Sequence, residues 1–106
     1  MRLLDLDPHW LIKDGKRIGF CFRSPKRPKW WLTCFAVATS PSDQREALVA
    51  AIGDGLNWLQ CKEIAWTVTG GIEAAHFETM TVKPSIDAGE LWHGFITNGE
   101  IVGGTS

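Results

Sequence analysis

The chain has 106 residues, of which 44% are apolar and 22% charged, and its net charge is −1 at neutral pH. That length supports one domain, residues 1–106, and the near-neutral balance excludes a protein drawn as a whole to DNA or anionic lipid. The composition is globular, and no apolar run approaches the roughly 18 residues of a membrane span.

Taken in chain order, His9–Ile12 reads as a short strand, and Asp14-Gly15 supplies a two-residue hairpin signal. The return strand is 17–23, with Ile18, Phe20 and Phe22 on one side and Gly19, Cys21 and Arg23 on the other. Pro25 and Pro28 remove amide donors and make 24–29 a loop. Trp30 to Ala38 is apolar on both parities, as expected of a central strand with cover on each side. Ser40 is placed to cap a helix, with Pro41 in its first position and Asp43 near its exposed amides. The helix is expected over 42–52. Leu48, Ile52, Leu56 and Leu59 would form one stripe if it continued, but Gly53 and Gly55 weaken that continuation, so 54–59 is a turn or a separate short element.

Residues 63–69 have the β-branched content of a strand, Gly70-Gly71 makes a turn, and 76–82 reads as another strand. Lys83-Pro84-Ser85 then breaks pairing and 87–90 is a loop. The final hairpin has arms 92–97 and 100–102 around Asn98-Gly99, whose residues both accept positive φ. Trp92, Gly94 and Ile96 share one face and His93, Phe95 and Thr97 the other. With a large apolar group on each face, the strand is expected to be covered in part on both. The pattern predicts an α+β fold: a twisted antiparallel β-sheet with one main helix packed against it, the C-terminal hairpin forming part of that sheet.

Chemistry is sparse. His76 and His93, with Glu73, Glu78 and Asp87, are the candidates for a metal, but no HExxH, CxxC or similar spacing gathers three ligands. Ser40, Ser42 and Ser85 lie in cap or turn contexts without a GxSxG elbow. Neither Gly53-x-Gly55 nor Gly70-Gly71 matches a phosphate loop. No catalytic residue, metal or cofactor is therefore expected. Cys21, Cys34 and Cys61 are odd in number and lack CxxC spacing, which fits buried thiols in a reducing compartment. No cleavable leader is evident, and neither secretion nor a membrane association is expected.

Six Trp stand among eleven aromatic residues, with no Tyr. Large rings give a small core buried area, at about 150–250 Å² each, or serve a recognition surface. Charge is uneven, +5 over residues 1–30 and −6 over 31–106. In Lys26-Arg27-Pro28-Lys29-Trp30-Trp31, cations could meet phosphate while an indole stacks on a base. The same residues could equally be a solvated loop leading into a core strand.

At Lys83-Pro84-Ser85-Ile86 and His93 to Ile101 the chain resembles a group of small uncharacterised phage and prophage proteins. These carry a Pro-Ser-Leu/Ile element, a short variable loop and a His-x-Phe-Ile-x-x-Gly-x-Ile hairpin. Pro84, Ser85 and Ile86 match the first element, and His93, Phe95, Ile96, Gly99 and Ile101 the second, within residues 76–102. Several such proteins have paired cysteines pointing to zinc, one of them just before the histidine. Here Trp92 holds that position and no CxxC pair lies upstream, so the resemblance implies a metal replaced by hydrophobic packing.

It also implies an accessory protein of the bacterial cytoplasm that binds, and inhibits or modulates, a host protein complex such as a defence system. The expected binding residues are Lys26, Arg27, Lys29, Trp30, Trp31, Trp92 and His93, and a homodimer is compatible with the sequence. The alternative is a single-stranded nucleic-acid-binding module using Lys26–Trp31. A small hydrolase is the third reading.

Overall fold

Residues 1–60 and 66–103 are described by the computed structural model. Their strands are β1 (His9–Lys13), β2 (Lys16–Arg23), β3 (Trp30–Phe35), β4 (Asn57–Gln60), β5 (Thr67–Val68), β6 (Val82–Asp87), β7 (His93–Thr97) and β8 (Glu100–Val102). One α-helix, α1 (Pro41–Ile52), lies between β3 and β4, and 3₁₀ turns cover Leu3–Leu6, Ile72–Ala74 and Gly89–Leu91. The α+β class expected from the sequence is the observed one. The strands divide, however, into two four-stranded sheets, ordered β1-β2-β3-β4 and β5-β6-β7-β8. All neighbours are antiparallel except β3 and β4, which run parallel. The C-terminal hairpin thus belongs to a second sheet and not to the sheet of β1–β3. Its buried side packs face to face on that sheet, where an extension in plane would have left both apolar surfaces to be covered separately.

Two of the hairpin signals act locally as expected. Asp14 and Gly15 have φ of 52° and 76°, and Asn98 and Gly99 have 49° and 74°, which suits turns whose twist matches their strands. The Asn98-Gly99 turn is also held from outside. Gly99 donates its amide to Met80 O at 2.9 Å and its carbonyl accepts from Leu3 N–H at 2.8 Å. A Cβ at Gly99 would strike Glu78 O and lie 2.9 Å from Phe77 O.

β2 departs from the clean alternation expected of it. Leu11 pairs with Gly19, but Ile12 pairs with Arg17, which leaves Ile18 as the extra residue of a bulge. Ile18 therefore joins the cluster of Leu11, Cys21, Trp31 and Phe35, away from Phe20 and Phe22. Gly19 beside it permits a close approach to the β3 backbone, since a Cβ there would strike Cys34 O and sit 2.9 Å from Phe35 Cα.

The first sheet is the middle layer. On one face Leu11, Ile18, Cys21, Trp31 and Phe35 meet Ala47 and Leu48 of α1. On the other, Phe20, Phe22, Leu32 and Cys34 meet Val82, Ile86 and Ile96 of the second sheet and Trp92 just before β7, with Leu3 and Leu6 alongside. β3 is covered on both sides as its double apolar parity predicted, although it ends at Phe35 and not Ala38, with Val37 and Ala38 exposed. Cys21 and Cys34 stand on adjacent strands but in opposite clusters, and both are buried.

Helix α1 starts one residue earlier than expected. Ser40 Oγ accepts from Asp43 N–H at 3.2 Å and Pro41 takes the first turn. The helix ends at Gly53, whose amide donates to Val49 O at 2.9 Å. Leu56 and Leu59 fall outside the helix and are exposed, so the apolar stripe stops at Ile52, and 57–60 forms β4 instead. An ion pair between Lys13 and Asp43, 2.5 Å apart, ties the β1–β2 turn to the start of α1. Its charge-assisted hydrogen bond raises the Lys13 pKa and lowers that of Asp43.

Before β6, one expectation is met in part and another is corrected. Of the strand expected over 63–69, the described part gives Thr67–Val68, and 63–65 lie outside the described residues. Residues 76–82 are mostly a turn, closed by Thr79 and Met80 amides that both donate to His76 O. The alternating pattern there was compatible with either, because a turn with one buried residue, Met80, produces the same short polar and apolar sequence. Lys83-Pro84-Ser85, expected to break pairing, lies inside β6 but does interrupt its ladder with β7, which stops at Val82 and resumes at Ile86.

Candidate functional site on the outer face of the second sheet

The local geometry of β6 and β7 builds this face. Val82 pairs with Ile96 and Ile86 with Gly94, so Lys83, Pro84 and Ser85 stand opposite the single residue Phe95. Such a bulge bends its strand and re-aims side chains. Within β7, Gly94 and Ile96 are buried while His93, Phe95 and Thr97 face outward. Gly94 is required by Trp92, whose indole occupies the space a Cβ would take, with Val102 O 2.5 Å away on the other side.

Phe95 is 49% exposed, and its cross-strand partner Val102 is 45% exposed. The two form an open apolar pair. Beside them the bulge leaves a shallow depression of about 580 Å³ lined by Thr67, Lys83, Pro84, Ser85, Phe95 and Thr97, among others. His93 Nε2 lies 3.5 Å from Ser85 Oγ at its rim. Asp87 is opposite His93 in the ladder, and its Oδ1 accepts from Gly89 N–H at 2.9 Å. The arrangement offers an apolar floor, a lysine, an imidazole and several hydroxyls. The outer edge of β8 is not open throughout, since Arg2 bridges Glu100 and Ile101 donates its amide to Met1 O at 2.8 Å. A partner here would meet side chains on the face, not an unpaired strand.

The expected binding residues are separated by this architecture. Lys26, Arg27 and Lys29 are exposed on the 24–29 loop, Trp30 is half-buried against the core between the sheets, and His93 is exposed on β7. Trp31 and Trp92 are 3% and 1% exposed and present no ring face at the surface, which corrects their assignment to a binding patch. Trp31 faces the helix layer, under the Arg23 guanidinium at 4.5 Å and edge-on to His9. Trp92 points between the sheets, edge-on to Phe22 at 5.9 Å. The loop and the start of β7 are nevertheless joined, because the buried Ser24 hydroxyl donates to Leu91 O at 2.5 Å.

Phe95, Val102, Lys83, Pro84 and Ser85 were not among the sequence-derived binding residues. The period-two alternation of β7 carried the signal for Phe95, but alternation names two faces without saying which one is covered. Trp10 was likewise missed. Its ring stacks on Phe77 at 4.2 Å and carries the Arg17 guanidinium at 4.1 Å, while Arg17 also donates to Ile72 O and Ala75 O.

Burial pushes the Cys21 thiol up to about 12, on the helix side of the first sheet. Among the described residues no three His, Cys, Asp or Glu side chains are grouped so as to hold a metal ion, and no helix is long and apolar enough to cross a membrane. Compared with family models, curated proteins and solved structures, the chain matches none.

Proposed function

We propose that the protein is a non-catalytic accessory protein that acts by binding a partner protein through the outer face of its second sheet. The observation carrying this reading is the exposed Phe95–Val102 pair beside the Lys83–Ser85 bulge. A central apolar contact inside a polar rim is the usual composition of an interface hot spot. The outward-facing members of the phage-like motif, Pro84, Ser85, His93 and Phe95, meet on this face, and its inward members Ile86 and Ile96 are core. By that resemblance the partner is a bacterial host complex, and the site of action is the bacterial cytoplasm.

A photo-crosslinking amino acid placed at position 95 in bacterial cells should give an adduct of defined mass with a host protein. The same probe at Ile12, also exposed but on the helix side, should not. Equal adducts from both positions would overturn the reading. An adduct solely with a second copy of the chain would replace the host partner by a homodimer. The Ser85–His93 contact favours one other reading, a serine hydrolase. Fluorophosphonate labelling that disappears in Ser85→Ala would select it over binding.

A further inference from the structure

The 24–29 loop forms a second surface, distinct from the outer face of the second sheet. Its backbone is closed by Ser24 N–H to Trp30 O at 2.9 Å and Trp30 N–H to Arg27 O at 2.9 Å. The Ser24 hydroxyl, anchored on Leu91 O, also accepts from Arg27 N–H at 3.1 Å, and Arg23 donates to Pro28 O at 3.0 Å. Two prolines and these bonds fix the path of the loop before any ligand arrives, which lowers the ordering cost of binding. Lys26, Arg27 and Lys29 are exposed within four consecutive positions. No carboxylate among the described residues lies within ion-pair distance of Arg27 or Lys29, and the nearby Asp7 is engaged by Arg23 and His9. The half-buried ring of Trp30 ends the loop.

We infer that this loop is a docking site for single-stranded nucleic acid, in which Lys26, Arg27 and Lys29 meet backbone phosphates and Trp30 offers a partial stacking edge to a base. Three cations on a fixed loop match a polyanion, and an aromatic ring beside them distinguishes a base-bearing strand from a merely acidic surface. A duplex fits less well. Reading a major groove requires a helix or β-ribbon with a basic face, and the exposed side of α1 carries Ser42, Arg45, Glu46 and Val49. With a net charge of −1 the attraction is local, so affinity should depend on these three side chains and not on the whole molecule.

The test is fluorescence anisotropy of the full chain with labelled oligo-dT. Three neutralised phosphates predict an affinity loss of about 20-fold between 50 and 200 mM salt, from a single-strand slope of roughly −0.7 per phosphate. Lys26→Ala/Arg27→Ala/Lys29→Ala should abolish most binding and flatten that slope. Lys16→Glu/Arg45→Ala, which lowers net charge by the same amount elsewhere, should retain most of it. An abasic strand of equal length should bind several-fold more weakly, and polyglutamate should compete poorly. Absence of binding at 50 mM salt, equal binding of the abasic strand, equal competition by polyglutamate, or equal loss in the control variant would each overturn the inference.

Discussion

The two sheets have the same number of strands and opposite relations to solvent. In the first, β2 is buried at five consecutive positions, Ile18–Phe22, because α1 covers one face and the second sheet the other. In the second, β7 alternates strictly between exposed and buried, so one face is core and the other is open. A phenylalanine in the first sheet is therefore a packing residue, whereas Phe95 in the second is available for contact.

Removing one ring from each sheet gives the sharpest contrast. Phe22→Ala should cost about 3–5 kcal/mol in denaturant unfolding, whereas Phe95→Ala should stay within about 0.5 kcal/mol and instead lose the partner adduct formed by a photo-crosslinking probe at Val102, its cross-strand neighbour. A comparable stability loss at both positions would show that Phe95 is covered. Gly19→Val should follow, at about 3 kcal/mol, because its side chain meets β3 backbone that neither covered face allows to move. Gly99→Val should cost about 2 kcal/mol, combining positive φ with the approach of Glu78 O, and is read from the thermal midpoint. Ser40→Ala, on the helix outside both sheets, should cost about 1 kcal/mol by leaving the Asp43 amide without its cap.

Burial of Cys21 gives the covered sheet a pH signature. Unfolded Cys21 loses its proton near 9, while folded Cys21 holds it up to about 12. The folded state binds the extra proton between those values, so stability should fall as pH rises above 9, by at most about 1.4 kcal/mol per pH unit from this thiol. Cys21→Ala should remove that component of the slope. An unchanged slope would place its origin in other groups.

Several features were legible in the sequence because they depend on a few adjacent residues. Asp14-Gly15 and Asn98-Gly99 determined their turns through the positive φ both residues tolerate, and Ser40-Pro41 determined where α1 begins through an oxygen acceptor and a preset φ. The double apolar parity of 30–35 determined that β3 would be covered twice. What the sequence left open depended on distant partners. The bulge that sends Ile18 to the helix side exists only against β1, and the one that lifts Lys83–Ser85 over Phe95 only against β7. Trp31 and Trp92 were drawn inward because each found a core to fill, under Arg23 and against Phe22, while Phe95 was left outside because its face met no layer. Period-two alternation separates a strand's two faces, but burial depends on which other surface arrives. That pairing is a long-range sum of packing and desolvation, settled in this protein by stacking the second sheet on the first.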